Sequence, residues 1–233
     1  MTVFESKINT NSKVYNVNRT EMLDLIEQMN SLLKRAENLS EKRKPRFLER
    51  NQLTPRDRLM HLLDPGMPFL ELANMGGFLR DIPDREKSVP GASLISGIGF
   101  INGVRCMITV DDSGIKAGAM TDGWGEKFTR AQDIALQQKL PFVHLVESAG
   151  ADLPRYHVEQ WLNFGRLFGN LAKLSAAGLP TIAVLHGAST AGGAYMPGLS
   201  DYVVAIKGRG RAFLAGPALL KAATGEETDE EEL

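Results

Sequence analysis

The positions of apolar and polar residues predict a long amphipathic helix near the start of the chain. Apolar residues recur from Met22 to Ala36 at steps of three and four, which is the period of one helix face. Asn18 and Glu21 have the spacing of a capping box, a common helix start. We therefore predict that this helix begins at Asn18 and that residues 1–17 form a polar arm.

Further along, the pattern predicts a second, short helix and then a β-hairpin. The helix runs to Leu63, with Thr54 as its N-cap. The apolar runs Leu94–Ile101 and Val104–Val110 are separated only by Asn102-Gly103, the dipeptide preferred in two-residue hairpin turns. These runs therefore predict two antiparallel strands.

The second half of the chain alternates helical periods with short apolar blocks. This order is typical of repeated βα crossover units, so we predict an α/β fold with parallel strands. In such folds ligands bind at the carboxyl ends of the strands. The predicted elements are a helix at Gly125–Lys139, a strand at Phe142–Val146, a helix at Val158–Ser175, a strand at Thr181–Leu185 and a strand at Tyr202–Ile206.

The aromatic and thiol side chains are interpreted as core rather than as cofactor ligands. Cys106 lies in an apolar strand, where a buried, inert thiol is expected, and a single cysteine cannot form an internal disulfide. The helix at Val158–Ser175 is expected to bury one apolar face, namely Trp161, Leu162, Phe164, Leu167, Phe168, Leu171 and Leu174.

Two predicted turns at strand ends carry the candidate chemistry. One contains Ser148, Ala149 and Gly150, and the other runs from Thr190 to Gly193. A glycine pair at a helix start lets an anionic oxygen approach unpaired backbone N–H groups without a Cβ in the way, which is how backbone alone forms an oxyanion hole. The alternative is that the glycines only allow close packing of the turn.

The sequence offers no legible side-chain catalytic set beside these turns. No Ser/His/Asp or Cys/His arrangement is recognisable, although Glu147 and Asp152 flank the first turn. Asp111, Asp112 and Ser113 follow a strand, where aspartates are common for structural reasons, so we interpret them as structural. The four histidines lack metal-ligand spacing, and no metal is expected.

Composition limits the kind of partner and the compartment. The 233 residues carry a formal net charge of -1, which gives no reason to expect nucleic acid or an anionic membrane. There is no apolar run of bilayer length and no signal-peptide pattern, so an intracellular protein is expected. A basic cluster at Lys42–Arg50 is either a solvated face or a contact for nucleotide phosphates.

Four segments together resemble one enzyme family. The chain is similar, from about residue 18 to its last residue, to the carboxyltransferase (β) subunit of biotin-dependent acyl-CoA carboxylases, and most to the methylcrotonoyl-CoA and geranyl-CoA branch. This resemblance implies a crotonase-like (ClpP/crotonase) ββα spiral fold, with residues 18–233 as the N-terminal acyl-CoA carboxyltransferase domain. The segments read LTPRDRLMHLLDPGMPFLEL, ESAGADLPR, STAGGAYMPGLSDYVV and FLAGPALLKAATGEE.

The resemblance also assigns roles to individual residues. Gly192 and Gly193 would offer N–H groups to the thioester oxygen as its enolate forms, with Ala149 and Gly150 as companion donors. Carboxybiotin would supply both the carboxyl group and the base, which explains the missing side-chain base. The residues implied to contact substrate are Ser148, Ala151, Thr190, Ala191, Ala194 and Tyr195.

The same resemblance implies partners and leaves alternatives open. Biotin would be carried on a partner α subunit, and the chain would associate with other β subunits, in the cytoplasm or in a mitochondrial matrix. The family subunit is about twice as long, so we expect this chain to be inactive alone and its acidic end, Glu226–Leu233, to be a cut loop or helix start. Alternatives are a propionyl-CoA carboxylase β subunit, a biotin-dependent decarboxylase, or a non-catalytic assembly module.

One departure concerns the first turn. The family often reads S-G-G-A-R where this chain has Ser148, Ala149, Gly150, Ala151 and Asp152. An acid in place of an arginine is expected to alter the acyl pocket.

Overall fold

One mixed sheet with helices on both faces forms the core of the protein. The structure is a computed structural model that describes residues 5–155, 157–229 and 232, without the side chain of Asn163. In the described part, the strand order is β1-β2-β3-β4-β5-β6, and β7 pairs with the far end of β5. The strands are β1 Leu70–Glu71, β2 Leu94–Ile101, β3 Val104–Asp111, β4 Phe142–Ser148, β5 Thr181–Thr190, β6 Tyr202–Ala205 and β7 Arg211–Phe213.

The helices alternate with the strands as the α/β pattern predicts. β1–β3 are antiparallel, whereas β3, β4, β5 and β6 run parallel. The α-helices are α1 Lys13–Glu41, α2 Lys44–Glu49, α3 Pro55–Leu62, α4 Asp122–Gln138, α5 Val158–Ala176, α6 Gly192–Gly198 and α7 Pro217–Thr224.

α1 begins five residues earlier than predicted. The Ser12 hydroxyl accepts a hydrogen bond from the Tyr15 N–H at 3.2 Å and caps the helix, so Asn18 and Glu21 lie within it. The prediction of a capping box at Asn18 is therefore wrong, because Ser12 already caps the helix more than one turn upstream. The boundary at residue 17 does not coincide with the helix start.

The predicted helix α3 and the hairpin are both confirmed. Thr54 caps α3 by accepting from the Asp57 N–H. In the hairpin, Asn102 and Gly103 have φ values of 50° and 77°, the left-handed conformations that a type I′ turn requires. The Asp64 carboxylate accepts both turn N–H groups at 2.7 Å, which ties the hairpin to the segment after α3.

β5 is longer than its sequence pattern indicates. The predicted strand ends at Leu185, but β5 continues to Thr190 because β7 pairs with its second half. Gly187 therefore lies within the strand. A Cβ built on it would lie 2.5 Å from Oε1 of Glu147, so glycine is required there by the close approach of that carboxylate.

The core divides into two layers on the two faces of the sheet. Trp124 and Phe128 of α4 stack at 4.7 Å and pack with α5 on one face, while Leu59 of α3 packs on the other. Most of the predicted α5 core is buried, but Trp161 and Leu162 are 52% and 77% exposed. Their assignment to the core was wrong, since both lie on the outer face of α5.

Burial falls off sharply toward the last elements. All four residues of β6 are exposed, whereas β3, β4 and β5 are mainly buried. Cys106 is buried, as predicted, and burial raises the pKa of its thiol. Among the described residues no helix has the length and apolar character needed to cross a bilayer.

Candidate functional site

The two predicted turns lie against each other at the carboxyl ends of β4 and β5. These strands pair in parallel, with Ser148 opposite Ser189. A Cβ built on Gly150 would lie 2.8 Å from the Thr190 carbonyl oxygen, and one built on Gly193 would lie 2.9 Å from the Ser148 Cβ. Glycine at both positions is therefore a requirement of the contact between the turns.

In the first turn the backbone donors are engaged by the protein itself. The Ala149 N–H donates to the Ala117 carbonyl at 3.1 Å, and the Gly150 N–H donates to the Ser148 hydroxyl at 3.2 Å. The acceptor segment has positive φ at Lys116 and Ala117, 49° and 53°. The Ala149 N–H is thus engaged by the protein in this structure.

In the second turn two backbone donors stay open. Ala191 has φ 49° and ψ −115°, a rare conformation for a residue with a side chain, and its N–H donates to the Phe213 carbonyl at 2.9 Å. Gly192 and Gly193 open α6, and within the described part of the chain their N–H groups have no hydrogen-bond partner. Strain at a turn that presents free donors is typical of a functional site.

A cavity of about 470 Å³ adjoins both turns. Its size falls in the range of small-molecule pockets. Ser148, Ala149 and Thr190 contribute to its wall, whereas Gly150, Gly192 and Gly193 do not. The other lining residues come from α2 and its flanks (Arg43, Arg46, Phe47, Arg50, Gln52), from the segments after β3 and in β4 (Ser113, Gly114, Lys116, Ala117, Glu147), and from β5 to α7 (Ala188, Phe213, Gly216, Pro217).

The remaining residues implied to contact substrate do not lie on the wall of this cavity. Tyr195 is 52% exposed, and its ring packs against Phe168 of α5 at 5.1 Å. Ala151 forms a β-bridge with Met120, and the Ala194 N–H donates within the second turn. The structure therefore brings Ser148 and Thr190 to the cavity wall, but not these three residues or Ala191.

A carboxylate on the cavity wall sits in a network that the sequence did not reveal. Oε2 of Glu147 accepts from the Ser113 hydroxyl at 2.6 Å and lies 3.8 Å from the Arg58 guanidinium. Arg58 also donates to Nε2 of His186 at 3.1 Å, which places the histidine proton on Nδ1, 3.7 Å from the same carboxylate oxygen. Glu147 is thus compensated rather than free.

The charge states in this network follow from burial. Burial lowers the pKa of His186 to about 2, with the Arg58 charge as a further cause, so the imidazole is neutral. Burial also lowers the pKa of Arg58, while the Glu147 charge opposes that shift. In the sequence, the one sign of this network was the position of Glu147 at the end of a predicted strand. The contact between Arg58 and His186 joins residues 128 positions apart, so no local pattern predicts it.

The aspartates at the end of β3 have structural contacts, as predicted. Asp111 accepts from the Trp124 indole N–H at 3.0 Å and from the Glu147 N–H at 3.2 Å. Asp112 accepts from the Ser40 hydroxyl at 2.7 Å, and burial raises the pKa of its carboxyl. Both side chains hold the elements that frame the cavity.

Comparison with known proteins decides the family. A family model described as the carboxyl transferase domain matches residues 46–233. The chain belongs to this family. The resemblance seen in the four sequence segments is therefore confirmed, and so is the crotonase-like fold, which the solved carboxyltransferases share.

The carboxyl transferase chain is similar to named subunits of biotin-dependent enzymes. It is 43% identical, over 99% of its length, to a probable biotin-dependent acyl-coenzyme A carboxylase beta2 subunit of Mycobacterium tuberculosis. It is 40% identical, over 97% of its length, to the mitochondrial methylcrotonoyl-CoA carboxylase beta chain of Arabidopsis thaliana. The chain covers 42% and 38% of these relatives.

A solved structure gives the same result for the fold. The beta subunit of geranyl-CoA carboxylase from P. aeruginosa superposes with a TM-score of 0.86 at 41% identity. The match covers all of this carboxyl transferase chain and 42% of that subunit. The chain therefore spans about two fifths of the length of the relatives it matches.

The departure at Asp152 is explained locally. Its carboxylate pairs with the Lys116 ammonium at 3.2 Å, and this pair joins the first turn to the segment that takes the Ala149 N–H. An acid at this position thus supports the turn.

Proposed function

We propose that this chain is the acyl-CoA-binding half of a carboxyltransferase that moves a carboxyl group from carboxybiotin to an acyl-CoA. Its acyl group would be branched and unsaturated, of the 3-methylcrotonoyl or geranyl type. The names of its relatives support this substrate class, since methylcrotonoyl-CoA and geranyl-CoA carboxylase subunits match over nearly the whole chain.

The observation that carries the proposal is the pair of open N–H groups at Gly192 and Gly193. They follow the strained residue Ala191 at the end of β5, next to a second glycine turn and a cavity of about 470 Å³. Preorganised backbone donors of this kind stabilise the negative oxygen of a thioester enolate, because they need no reorganisation as charge develops.

The companion donor in this proposal is Gly150 rather than Ala149. The Gly150 N–H donates only to the hydroxyl of its own turn at 3.2 Å among the described residues, whereas the Ala149 N–H is held by a carbonyl outside the turn. Gly150 also contacts the second turn through the Thr190 carbonyl. The three glycines would therefore surround one oxyanion position.

The residues on the cavity wall fit a cosubstrate that brings its own base. Glu147 is engaged by the Ser113 hydroxyl and lies 3.8 Å from Arg58, so we do not assign it as the base. Carboxybiotin would supply the carboxyl group and a proton-accepting nitrogen. This chain would bind the thioester, orient it toward the glycine turns, and hold the enolate charge on its backbone donors.

The partners follow from the same proposal. A biotin-carrying α subunit would deliver the cosubstrate, and β subunits would associate with one another, in the cytoplasm or the mitochondrial matrix. We further propose that the chain does not transfer carboxyl groups from free carboxybiotin by itself, because it spans only about two fifths of its relatives.

Calorimetric titration of the chain tests this function. We expect binding of 3-methylcrotonoyl-CoA and geranyl-CoA, and weaker binding of propionyl-CoA. Absence of heat with every thioester would refute the proposal and favour an assembly module. Tighter binding of propionyl-CoA would instead favour the propionyl-CoA carboxylase alternative.

A further inference from the structure

A row of arginines lines the cavity on the side of α2. Arg43, Arg46 and Arg50 are spaced three and four residues apart, which places them on one side of this short helix. All three lie on the cavity wall and are exposed. The wall therefore presents three guanidinium groups to whatever fills the cavity.

The position of this row is fixed by residues of the same segment, including Phe47, which also lines the cavity. Phe47 is buried, and its carbonyl accepts from the Arg50 and Gln52 N–H groups at 3.2 and 2.8 Å. The Asn51 carbonyl just beyond accepts from the Arg209 guanidinium at 2.8 Å. The row is thus held on an anchored helix rather than on a free loop.

The three guanidinium groups have no protein anion to pair with. Within the described part of the chain, none of them has a carboxylate within 4.0 Å or a side-chain hydrogen bond. The neighbouring charges on the wall are already paired, since Glu147 bonds Ser113 and Lys116 pairs with Asp152. Among the described residues of the cavity wall, positive charge is therefore uncompensated only along this row.

We propose that Arg43, Arg46 and Arg50 bind the phosphates of the coenzyme A nucleotide. This inference rests on the proposed function, since it names the part of the acyl-CoA that this wall recognises. Coenzyme A carries its phosphates at the end remote from the thioester, and the row faces a cavity whose other side meets the two turns. Guanidinium groups bind phosphate oxygens through charge-assisted, often bidentate hydrogen bonds.

Paired titrations of the chain test the assignment. The ligands are 3-methylcrotonoyl-CoA and 3-methylcrotonoyl-pantetheine, which shares the thioester but lacks the nucleotide phosphates. The variants are a triple Arg43→Gln, Arg46→Gln, Arg50→Gln and a matched triple at exposed arginines off the cavity wall, Arg19→Gln, Arg105→Gln, Arg130→Gln. Circular dichroism confirms that each variant is folded.

We expect the cavity-wall triple to weaken binding of the CoA thioester about tenfold or more, and to leave the pantetheine thioester unchanged. The matched triple should bind both ligands like the parent chain. In the parent chain, added salt should weaken binding of the CoA thioester only.

The outcomes separate this inference from the function it rests on. Equal affinity of the parent chain for the two thioesters would overturn the phosphate assignment and leave acyl-thioester binding intact. Equal loss in both triples would overturn it as well, because net charge alone would then explain the effect. Binding of neither thioester by the parent chain would overturn the proposed function itself. If the cavity-wall triple variant is unfolded, the salt titration of the parent chain tests the phosphate assignment instead. Equal weakening of both thioesters by salt, or weakening of neither, would overturn the assignment.

Discussion

The two glycine turns at the ends of β4 and β5 look alike in sequence but differ in how their N–H groups are used. In the first, Ala149 and Gly150 donate to acceptors of the protein. In the second, Gly192 and Gly193 donate to nothing in the described structure. A buried, satisfied turn is a support, whereas open donors are a binding feature. The difference assigns chemistry mainly to the second turn.

The same contrast extends to the surroundings of the turns. The first turn is braced by the Asp152–Lys116 ion pair and by the Gly150 carbonyl, which accepts from the Met120 N–H at 2.8 Å. The second turn is held by β7, which pairs with Thr190 and accepts from the Ala191 N–H. Substitutions in the first turn should therefore affect folding most, and those in the second should affect turnover most.

The largest effect is expected from Gly193→Val. Its branched side chain would meet the Ser148 Cβ at 2.9 Å and the Ser189 hydroxyl at 3.0 Å, which moves the start of α6. We expect turnover of 3-methylcrotonoyl-CoA to fall about 10²-fold or more in an assembled carboxylase that contains this sequence. Gly198→Val is the control, since no atom lies within 4 Å of the Cβ position there. Turnover lost equally in both variants would contradict the role of Gly193.

The next effect concerns folding of the first turn. Gly150 has φ 80°, and its Cβ position lies 2.8 Å from the Thr190 carbonyl oxygen. We expect Gly150→Ala to lower the free energy of unfolding by about 2–4 kcal/mol, from left-handed strain plus the clash. Gly178 also has a positive φ, but no atom lies within 4 Å of its Cβ position, so Gly178→Ala should lower the free energy of unfolding by only about 1 kcal/mol. Urea denaturation measures both, and equal losses would show that the turns are not in contact.

A smaller loss is expected when the support of the first turn is removed by Ser148→Ala. The Ser148 hydroxyl donates to the Gly118 carbonyl at 2.8 Å, and that carbonyl would be left buried without its donor. We expect a loss of about 1–3 kcal/mol in unfolding free energy. Ser200→Ala removes a local bond within one helix end and should cost less. The reverse order would contradict the supporting role of the first turn.

How far the sequence predicts this site depends on which contacts are local. The hairpin at Asn102-Gly103 and the parallel strands follow from local pattern. The true end of β5 does not, because it depends on pairing with β7 more than 20 positions away along the chain. The hydrogen bond of the Ala149 N–H could not be predicted from the sequence either. Its acceptor is the carbonyl of Ala117, and no sequence pattern indicates the positive φ of that residue.

In α5, the sequence pattern did not distinguish surface positions from core positions. The helical period that buries Leu167 and Leu171 was correctly read, but an apolar side chain at position 161 or 162 gives no local sign of whether anything covers it. The sequence was also ambiguous for the arginine row of α2, which could be either a solvated face or a contact for phosphates. The cavity beside the row favours the second interpretation.

The smallest expected effect is a pH dependence at the start of α5. A hydrogen bond from His157 to Asp122, at 2.9 Å, raises the pKa of the imidazole, and Glu159 adds to the shift. A raised pKa in the folded state stabilises the fold below the ordinary value of 6.5, and this contribution is lost as pH rises through the folded-state pKa. The melting temperature should therefore fall over that range in the parent chain and less in His157→Gln. A steeper fall in the variant would contradict the assignment.

A crystal structure of the chain with bound 3-methylcrotonoyl-CoA tests the account most directly. We predict a thioester oxygen about 2.7–3.1 Å from the backbone nitrogens of Gly192 or Gly193, with the Ala149 N–H still bonded to the Ala117 carbonyl. A thioester oxygen bound by Ala149, or a thioester placed away from both turns, would contradict it.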